Sequence, residues 1–495
     1  MKQIRHYIGG ATTSGLSDRS GPVYDPATGQ QTGTVSYASA GDVDAAVTSA
    51  ATAFASWRQV SLSRRSEILF AMRDLVRSHS RQLAELITAE NGKTIADAEG
   101  EVLRGLENLE FACGIPDHLK GEHSQQVSRG VDVHSARYPL GVVAGITPFN
   151  FPAMVPMWMF SNAIACGNCF VLKPSEKTPS ASMLLAQLWH EAGLPDGVFN
   201  VVHGDRVAVD RLLAHPQVAA VSFVGSTPVA RHVYTTAAGH GKRVQALGGA
   251  KNHMIVLPDA DLDMAADAAV SAGYGAAGER CMAVSVVTAV GDVADPLVEA
   301  IAVRIGKVKV GAGTDPDAEM GPLVTREHRD KVAAYLDSAA ADGAVVVADG
   351  RHLVTPDGGF FLGPCLVDHV RPGMKIYTDE VFGPVLSVTR VPSYRDAIAM
   401  VNDNPYGNGA AIFTRDGGAA RDFEDQVQVG MVGINVPIPV PVAFYSFGGW
   451  KDSLFGDLHM YGPDGVRFYT RAKVMTTRWP DPSTSAVDLG FPRTR

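Results

Sequence analysis

The chain has 495 residues, of which 46% are hydrophobic and 19% charged; this composition excludes a fibrous or disordered protein and predicts a compact one with several domains. Its net charge of −9 at pH 7 excludes recruitment of nucleic acid or of an anionic membrane surface by bulk charge. Five cysteines do not make a disulfide framework, and their odd number, with no signal-like N-terminus and no apolar run of about 18 residues, predicts a cytoplasmic protein.

The sequence pattern changes near residue 139. Before that point, residues 41–112 carry apolar side chains at helical spacing, and residues 128–137 form a polar segment typical of a strand. After it, short apolar runs that end at proline or glycine alternate with helical segments. These runs cover residues 141–147, 169–172, 198–202 and 218–223, and the clearest helix covers 180–192. Strands and helices in alternation predict a parallel sheet with helices on both faces.

A second alternation of strands and helices begins near residue 252. Its predicted strands cover 253–257, 284–290, 344–347, 385–391 and 410–413, and its predicted helices cover 261–273 and 295–303. The glycine turn at Gly248 and Gly249 is therefore a predicted domain boundary. The proline-rich residues 437–441 are compatible with a polyproline ligand, but their alternating apolar side chains favour a buried extended segment.

Cys281 has the most reactive sequence context in the chain. It follows Arg280, and a neighbouring guanidinium favours the thiolate, which is the form of cysteine that attacks electrophiles. The alternative is a buried cysteine that fills space, as free cysteines usually do. Upstream, the glycine-rich turn that follows Ala246 contains no carboxylate, although a covalent enzyme that finishes by hydrolysis usually needs a base for water.

Polar side chains follow several predicted strands, at the edge where doubly wound sheets bind ligands. Asn150 is a candidate donor to an oxyanion, or a turn asparagine that bonds its own backbone. Lys173 and Glu176 are spaced to bracket a ribose, or else they form a solvated ion pair. Gly225 and Ser226 precede a proline at a predicted helix start, which is a place that binds anions.

For other residues, a structural role explains the sequence at least as well as a functional one. Arg104 lies on a predicted helix, where a surface arginine paired with glutamate is the simpler interpretation. Glu380 and Phe382 precede a predicted strand, in what is equally a structural turn. Cys166 and Cys169 are spaced like a zinc or redox pair, but no second cysteine pair follows them, so structural cysteines are favoured. No metal site is predicted.

Taken in chain order, these motifs resemble the aldehyde dehydrogenase superfamily across residues 7–480. The matching motifs are at residues 148–152, 173–176, 223–226, 247–249, 278–281, 380–384 and 447–449. The resemblance implies an α/β fold with a Rossmann-type NAD-binding domain, an α/β catalytic domain and a β-arm through which a homotetramer assembles. The NAD-binding domain would cover 1–120, 139–247 and 446–464, the catalytic domain 248–445, and the arm 121–138 and 465–482.

The same resemblance implies a role for each motif residue. Cys281 would be the nucleophile and Asn150 a donor to the oxyanion. Lys173 and Glu176 would bind the adenosine ribose of NAD. The remaining residues of the implied NAD site are Phe149, Gly225, Ser226 near the pyrophosphate, Glu380 on the nicotinamide ribose and Phe382 against the nicotinamide.

One departure from the superfamily pattern concerns the acyl acceptor. Hydrolytic members carry glutamate where this chain has Ala246. Arg104, Arg280 and the segments 435–441 and 456–462 are similar to those of the CoA-acylating methylmalonate-semialdehyde dehydrogenases, although that family has asparagine at the Ala246 position. This resemblance implies that the two arginines hold a substrate carboxylate and that CoA removes the acyl group.

The expected reaction is the NAD-dependent oxidative decarboxylation of methylmalonate or malonate semialdehyde to propionyl- or acetyl-CoA, as in valine or inositol catabolism. CoA is favoured over water as the acyl acceptor. A thiol with a pKa of about 8.5 is partly ionised to the thiolate at neutral pH, whereas attack by water needs a general base, which is worth roughly 10²–10⁴ in rate. The alternative is a hydrolytic NAD-dependent aldehyde dehydrogenase that uses another base, for which Glu279 is the candidate. Two further alternatives are not dehydrogenases. One is a structural relative of the superfamily without catalytic activity, and the other is a zinc or redox protein built on Cys166 and Cys169.

Overall fold

The computed structural model describes residues 2–353 and 358–479. One large sheet is built mainly from strands before the turn at Gly248 and Gly249 and the other from strands after it; both have helices packed on them, and three smaller sheets are also present. The α/β architecture predicted from the sequence is therefore observed. The domain boundaries stay predictions, and residues 480–482 of the predicted arm lie outside the described residues.

The first sheet has eight strands, of which the central five are parallel. In spatial order the strands are Leu454–Phe455, Arg243–Leu247, Val218–Val224, Val142–Ile146, Cys169–Lys173, Phe199–Val201, His6–Ile8 and Ala11–Thr13. The two innermost strands, Val142–Ile146 and Cys169–Lys173, are buried along their whole length, as expected for parallel strands covered on both faces. Their carboxyl ends share one edge of the sheet with the end of Val218–Val224.

Helices cover the first sheet. They are Ala40–Trp57, Leu62–Ser78, Ser80–Asn91, Ile95–Cys113, Ile115–His118, Met154–Ala165, Ser180–Glu191, Arg206–Ala214 and Thr227–Gly239, and Gly462–Phe468 packs against Met154–Ala165. Every residue of Met154–Ala165 is buried. Because this helix is apolar on all sides, it has no amphipathic periodicity from which the sequence predicts a helix.

The second sheet has seven strands, all parallel except the first. In spatial order they are Val345–Ala348, Cys365–Asp368, Val385–Val391, Val284–Val290, Asn252–Val256, Gly409–Phe413 and Met431–Ile434. Its helices are Leu262–Tyr274, Ala294–Ile305, Arg326–Ala341, Lys375–Thr378, Tyr394–Asp403 and Gly417–Gln426, with short 3₁₀ turns at Gly275–Gly278, Gly291–Val293 and Gly350–His352.

Smaller sheets complete the architecture. His123–Ser128, Val131–Pro139 and Thr470–Arg478 form an antiparallel sheet whose strands are largely exposed, in the region of the predicted arm. The N-terminal strands Lys2–Ile4, Ser20–Asp25 and Gln30–Ser36 form another, and Tyr406–Gly407 pairs with Trp450–Lys451. Across residues 2–353 and 358–479, no helix is long and apolar enough to cross a membrane.

Candidate active site

Cys281 lies on a loop between the two large sheets. The loop begins with Ala276 and Ala277, whose φ angles of 51° and 53° are unusual for residues with a side chain. The backbone N–H of Ala276 donates to the carboxylate of Asp97 at 3.2 Å. The backbone carbonyl of Cys281 accepts from the side-chain amides of Asn252 and Asn408, at 2.9 and 3.2 Å. These contacts fix the loop at both ends, so the backbone of Cys281 is held in place before any ligand binds.

A cavity of about 380 Å³ brings Cys281 together with both predicted arginines. Arg104 and Arg280 lie on its wall beside the cysteine. The other lining residues are Ala96, Asp97, Gly100, Glu101, Phe151, Met154, Trp158, Met282, Ile438, Val440 and Phe447. An apolar cavity with two guanidinium groups beside a thiol suits a small aldehyde that carries an anionic group.

Each arginine already has a carboxylate partner. Arg280 forms an ion pair with Asp97, and its guanidinium crosses so close to Gly275 that a Cβ atom there would collide with it. Arg104 pairs with Glu107 at 2.8 Å and donates to the backbone carbonyl of Val440 at 3.3 Å. These contacts orient both guanidinium groups, and the N–H groups left over are those available to a substrate carboxylate.

The proline-rich segment was expected to be buried, and this prediction is wrong. Residues 437–441 are only half-buried and form no strand. Ile438 and Val440 line the cavity, and the backbone carbonyl of Pro441 accepts a hydrogen bond from Arg104 at 3.2 Å. The segment therefore forms part of the wall around Cys281, and its exposure follows from its place at the mouth of the cavity.

Burial dominates the ionisation of Cys281. Removal from water, with a further contribution from the charge of Glu380, raises the pKa of the thiol to about 12. Arg280 lowers this pKa, which is the direction expected from the sequence, but burial and the charge of Glu380 outweigh its effect.

Alkylation of Cys281 should consequently accelerate with pH. With a pKa of about 12, we expect iodoacetamide to label it in the absence of NAD⁺ roughly tenfold faster per pH unit between about pH 7 and pH 10, because only the thiolate reacts. Peptide mass spectrometry measures the labelling rate, and the buried Cys113 is the internal control. A rate that levels off near pH 8 would contradict the raised pKa.

Asn150 follows the buried strand Val142–Ile146 and is itself 4% exposed. Its side-chain amide donates to the backbone carbonyl of Glu279, two residues before Cys281, at 3.0 Å. Phe151 rather than Asn150 is on the wall of the cavity. Because a primary amide has two N–H donors, the bond to Glu279 orients the group and leaves one N–H for a ligand.

A second crevice lies on the other side of Cys281 and is lined by Glu380 and Phe382. Glu380 accepts a hydrogen bond from the backbone N–H of Ala250 at 3.0 Å, and burial raises its pKa to about 7. The adjacent Gly249 has to be a glycine, since a Cβ atom there would collide with the Glu380 carboxylate. The resemblance puts the nicotinamide ribose on Glu380 and the nicotinamide ring against Phe382.

Phe382 is held by contacts that the sequence did not indicate. Its φ angle is 57°, and its carbonyl forms a 2.7 Å hydrogen bond with the imidazole Nε2 of His328. Its ring packs edge-on against Phe149, with centroids 5.9 Å apart. The ammonium of Lys177 lies 4.9 Å from the centroid of the Phe149 ring. Only Lys177 was within reach of sequence reasoning, since it follows the predicted ribose motif directly.

The remaining predicted dinucleotide residues lie at strand ends on the same edge of the first sheet. Lys173 ends its strand and lies 3.4 Å from the carboxylate of Glu176. Gly225 follows Val218–Val224, and a Cβ atom on it would press into the Phe223 ring. Ser226 is the N-cap of Thr227–Gly239, but its side chain makes no capping hydrogen bond. A hydroxyl that makes no capping bond at a helix N-terminus, on the same sheet edge as a lysine–glutamate pair, fits the phosphates and ribose of a dinucleotide.

The cavity around Cys281 has no unpaired carboxylate among the described residues that line it. Asp97 is paired with Arg280, and Glu101 is paired with Lys93 at 2.9 Å. Ala246 is fully buried in the strand Arg243–Leu247 and is not on the cavity wall. The position from which hydrolytic aldehyde dehydrogenases would supply a base is therefore filled by a buried methyl group.

Glu279, the alternative base, is buried behind the cysteine loop. One carboxylate oxygen accepts from the backbone N–H of Val324 at 3.3 Å and lies 3.6 Å from His328. The other oxygen has no partner, and burial raises the pKa of the carboxyl to about 8. Because Glu279 does not line the cavity and is largely protonated at neutral pH, it is poorly placed to activate water there.

The zinc or redox interpretation of Cys166 and Cys169 gains no support. Both thiols are buried and unbonded, and burial raises the pKa of each to about 12. Within the part of the chain that the structure describes, no three histidine, cysteine, aspartate or glutamate side chains are grouped as metal ligands. The structural role favoured by the sequence fits these surroundings.

Comparison with known proteins identifies the class to which this fold and site belong. A sequence profile of the aldehyde dehydrogenase family matches residues 13–475, so the chain belongs to the aldehyde dehydrogenase family. The malonate-semialdehyde dehydrogenase of Pseudomonas aeruginosa is 53% identical over 99% of this chain and 100% of its own length.

Two solved structures are similar along the whole chain. The methylmalonate-semialdehyde dehydrogenase from Oceanimonas doudoroffii is 54% identical, covers 98% of this chain and 99% of its own, and has a TM-score of 0.96. A Sinorhizobium meliloti protein solved in complex with NAD is 51% identical with the same coverage and a TM-score of 0.96. The predicted fold and family are thereby confirmed.

Proposed function

We propose that this protein is an NAD-dependent malonate- or methylmalonate-semialdehyde dehydrogenase that transfers its acyl group to CoA. The observation that carries the proposal is the charge on the cavity wall: Arg104 and Arg280 lie beside Cys281, and the lining carboxylates Asp97 and Glu101 are both ion-paired. The relatives from Pseudomonas aeruginosa and Oceanimonas doudoroffii, a malonate- and a methylmalonate-semialdehyde dehydrogenase, support the substrate class.

Arg104 and Arg280 bind the carboxylate of the semialdehyde through the N–H donors that their existing contacts leave over. Asp97 and Glu107 hold the two forks in orientation without substrate, which lowers the entropy lost on binding. The aldehyde carbon then lies near Cys281. An uncharged aldehyde of the same size fits the apolar part of the cavity but gains nothing from the arginines.

The Cys281 thiol gives up its proton to solvent water, and its sulfur adds to the aldehyde carbon, so that the C=O π bond opens and a tetrahedral oxyanion forms. Asn150 and the backbone N–H of Cys281 donate to that oxyanion. A bound NAD⁺ would supply the acceptor for the hydride of the former aldehyde carbon. The residues proposed to hold NAD are Phe149, Lys173, Glu176, Gly225, Ser226, Glu380 and Phe382. The product on the enzyme is a thioester of Cys281.

The thioester of a malonyl-type group loses CO₂ readily, since the thioester carbonyl stabilises the enolate that remains. The enolate takes up a proton, and the thiol of CoA then attacks the thioester. Without a base in the cavity, water is a poor competitor, since general-base catalysis is worth roughly 10²–10⁴ in rate. The products are acetyl-CoA or propionyl-CoA, CO₂ and NADH.

The arginine clamp is tested by substrate selectivity. Arg280→Lys and Arg104→Lys should each raise KM for malonate semialdehyde roughly 10- to 100-fold, because lysine cannot replace a forked, charge-assisted pair. For propanal, which has no carboxylate, we expect little change. Steady-state NADH formation at varied substrate concentration measures both values.

Arg304→Lys is the matched control for the clamp. Arg304 pairs with Asp263 at 2.8 Å and lines a neighbouring groove that lacks Cys281. This variant should leave both KM values unchanged. If the two cavity arginines alter KM for propanal as much as for malonate semialdehyde, they shape the cavity in general and bind no carboxylate.

The exposed antiparallel sheet suggests how subunits assemble. The strand Thr470–Arg478 is mostly exposed, with Val474 65% exposed on its surface. An edge strand with exposed apolar side chains favours pairing with another chain. We propose that this arm joins the subunits of a homotetramer.

A further inference from the structure

Two buried charges lie at the wall of the Cys281 cavity, which Glu101 lines. The Lys93 ammonium and the Glu101 carboxylate are 2.9 Å apart, and their side chains are only 2% and 0% exposed. No other ion pair between described residues is buried on both sides to this degree. Lys93 lies in the turn before the helix Ile95–Cys113, and Glu101 lies within that helix.

The pair holds the backbone that carries Asn150. Lys93 donates to the backbone carbonyl of Asn150, and its ammonium lies 4.3 Å from the centroid of the Phe151 ring. Glu101 accepts from the backbone N–H groups of Ala153 and Met154, at 2.8 and 3.1 Å. The turn that carries the proposed oxyanion donor is thus hydrogen-bonded to the Lys93 ammonium at its start and to the Glu101 carboxylate at its end.

The stability of the fold does not by itself explain why an ion pair is buried here. Two buried charges lose their hydration, and apolar replacements of the same volume are often no less stable. The positioning of a catalytic group is a stronger explanation, since a misplacement of such a group by about 1 Å costs roughly 10²-fold in rate. The Asn150 amide also has to meet the carbonyl of Glu279, which lies on a separate loop.

We propose that Lys93 and Glu101 are positioning residues that fix the Asn150 turn, so that its side-chain amide meets the oxyanion formed on Cys281. The proposal rests on the role of Asn150 in the proposed function. Neither residue exchanges a proton with the substrate. Each acts through the backbone of residues 150–154.

A double-mutant cycle with Asn150→Ala tests this coupling. Acylation of Cys281 is followed without NAD⁺ by the burst of p-nitrophenolate from p-nitrophenyl acetate, in which the sulfur gains the acetyl group and the ester C–O bond breaks. The NADH burst with malonate semialdehyde is the second readout. Lys93→Met should slow both bursts roughly 10- to 100-fold, and have little effect in a protein that already carries Asn150→Ala.

Two further variants keep the test decisive. Glu101→Gln retains an acceptor for the two N–H groups but removes the charge, so it should show the same coupling if Lys93→Met does not fold. Lys242→Met removes another buried lysine, which donates to the carbonyl of Val218 at 2.8 Å in a different part of the first sheet, and should leave both bursts unchanged.

The outcomes separate the two proposals. Equal slowing by Lys93→Met or Glu101→Gln with and without Asn150→Ala would overturn the positioning role, since the pair would then act independently of Asn150. If Asn150→Ala itself leaves both bursts unchanged, the oxyanion role of Asn150 fails, and the positioning proposal fails with it.

Discussion

Cys281→Ala is expected to abolish NADH formation from malonate semialdehyde, with a loss of roughly 10⁴- to 10⁶-fold in kcat. Cys281 lines both the arginine-lined cavity and the crevice that contains Glu380. Without the sulfur, no tetrahedral adduct forms and no hydride leaves. Alanine removes the nucleophile without adding bulk, so the cavity should keep its shape.

Stopped-flow measurement of NADH distinguishes this loss from a folding defect. Cys113→Ala is the matched control, because Cys113 is a buried thiol at the end of the helix Ile95–Cys113 and does not line the cavity. This control should show a normal burst. A Cys281→Ala enzyme that keeps a tenth or more of the wild-type rate would rule out covalent catalysis by this cysteine.

Omission of CoA is expected to reduce sustained turnover by at least roughly 10²-fold, while the first turnover stays fast. One NADH per subunit should form in a burst, after which the acyl enzyme accumulates. The physical reason is that Asp97 and Glu101 are ion-paired and Ala246 is buried, so no described residue on the cavity wall is a free base for water.

The hydrolytic alternative makes the opposite prediction. If Glu279 activated water, NADH would form continuously at similar rates with and without CoA, and Glu279→Gln would stop the CoA-independent reaction. On our account, Glu279→Gln changes the residual rate without CoA very little, since this carboxyl faces Val324 and His328. Its pKa of about 8 also leaves it mostly protonated at pH 7.

The sequence placed several candidate site residues directly after strands, and the structure has them at those positions. Asn150, Lys173 and Ser226 each come shortly after an apolar run, and parallel strands bring such positions to one edge of a sheet. The runs themselves were recognisable because strands buried on both faces are continuously apolar. Local sequence therefore determined both the element and the place of the polar residue at its end.

Contacts between distant parts of the chain could not be predicted in this way. Lys93 reaches Asn150, and His328 reaches Phe382, but no periodicity or spacing connects these pairs. The helix Met154–Ala165 was missed because it is buried on all sides and has no polar face. These features depend on how helices pack on the first sheet, which a single sequence does not specify.

Arg280 shows why adjacency in sequence is a poor guide to electrostatics. The sequence placed a positive charge next to the Cys281 thiol. In the structure the Arg280 side chain passes over Gly275 and pairs with Asp97, and burial has the largest effect on the thiol pKa. Arg280 also lines the cavity, where we propose that its remaining N–H groups bind the substrate carboxylate.

The central claim is that Cys281 carries an acyl group which CoA, and not water, removes. Its most direct test is peptide mass spectrometry of enzyme quenched after mixing with NAD⁺ and malonate semialdehyde, followed by a chase with CoA. The account predicts an acetyl thioester on Cys281 that persists without CoA and is converted to acetyl-CoA within the time of one turnover. A Cys281 that stays unmodified, or an acyl group that is released as free acid at the same rate with and without CoA, would contradict it.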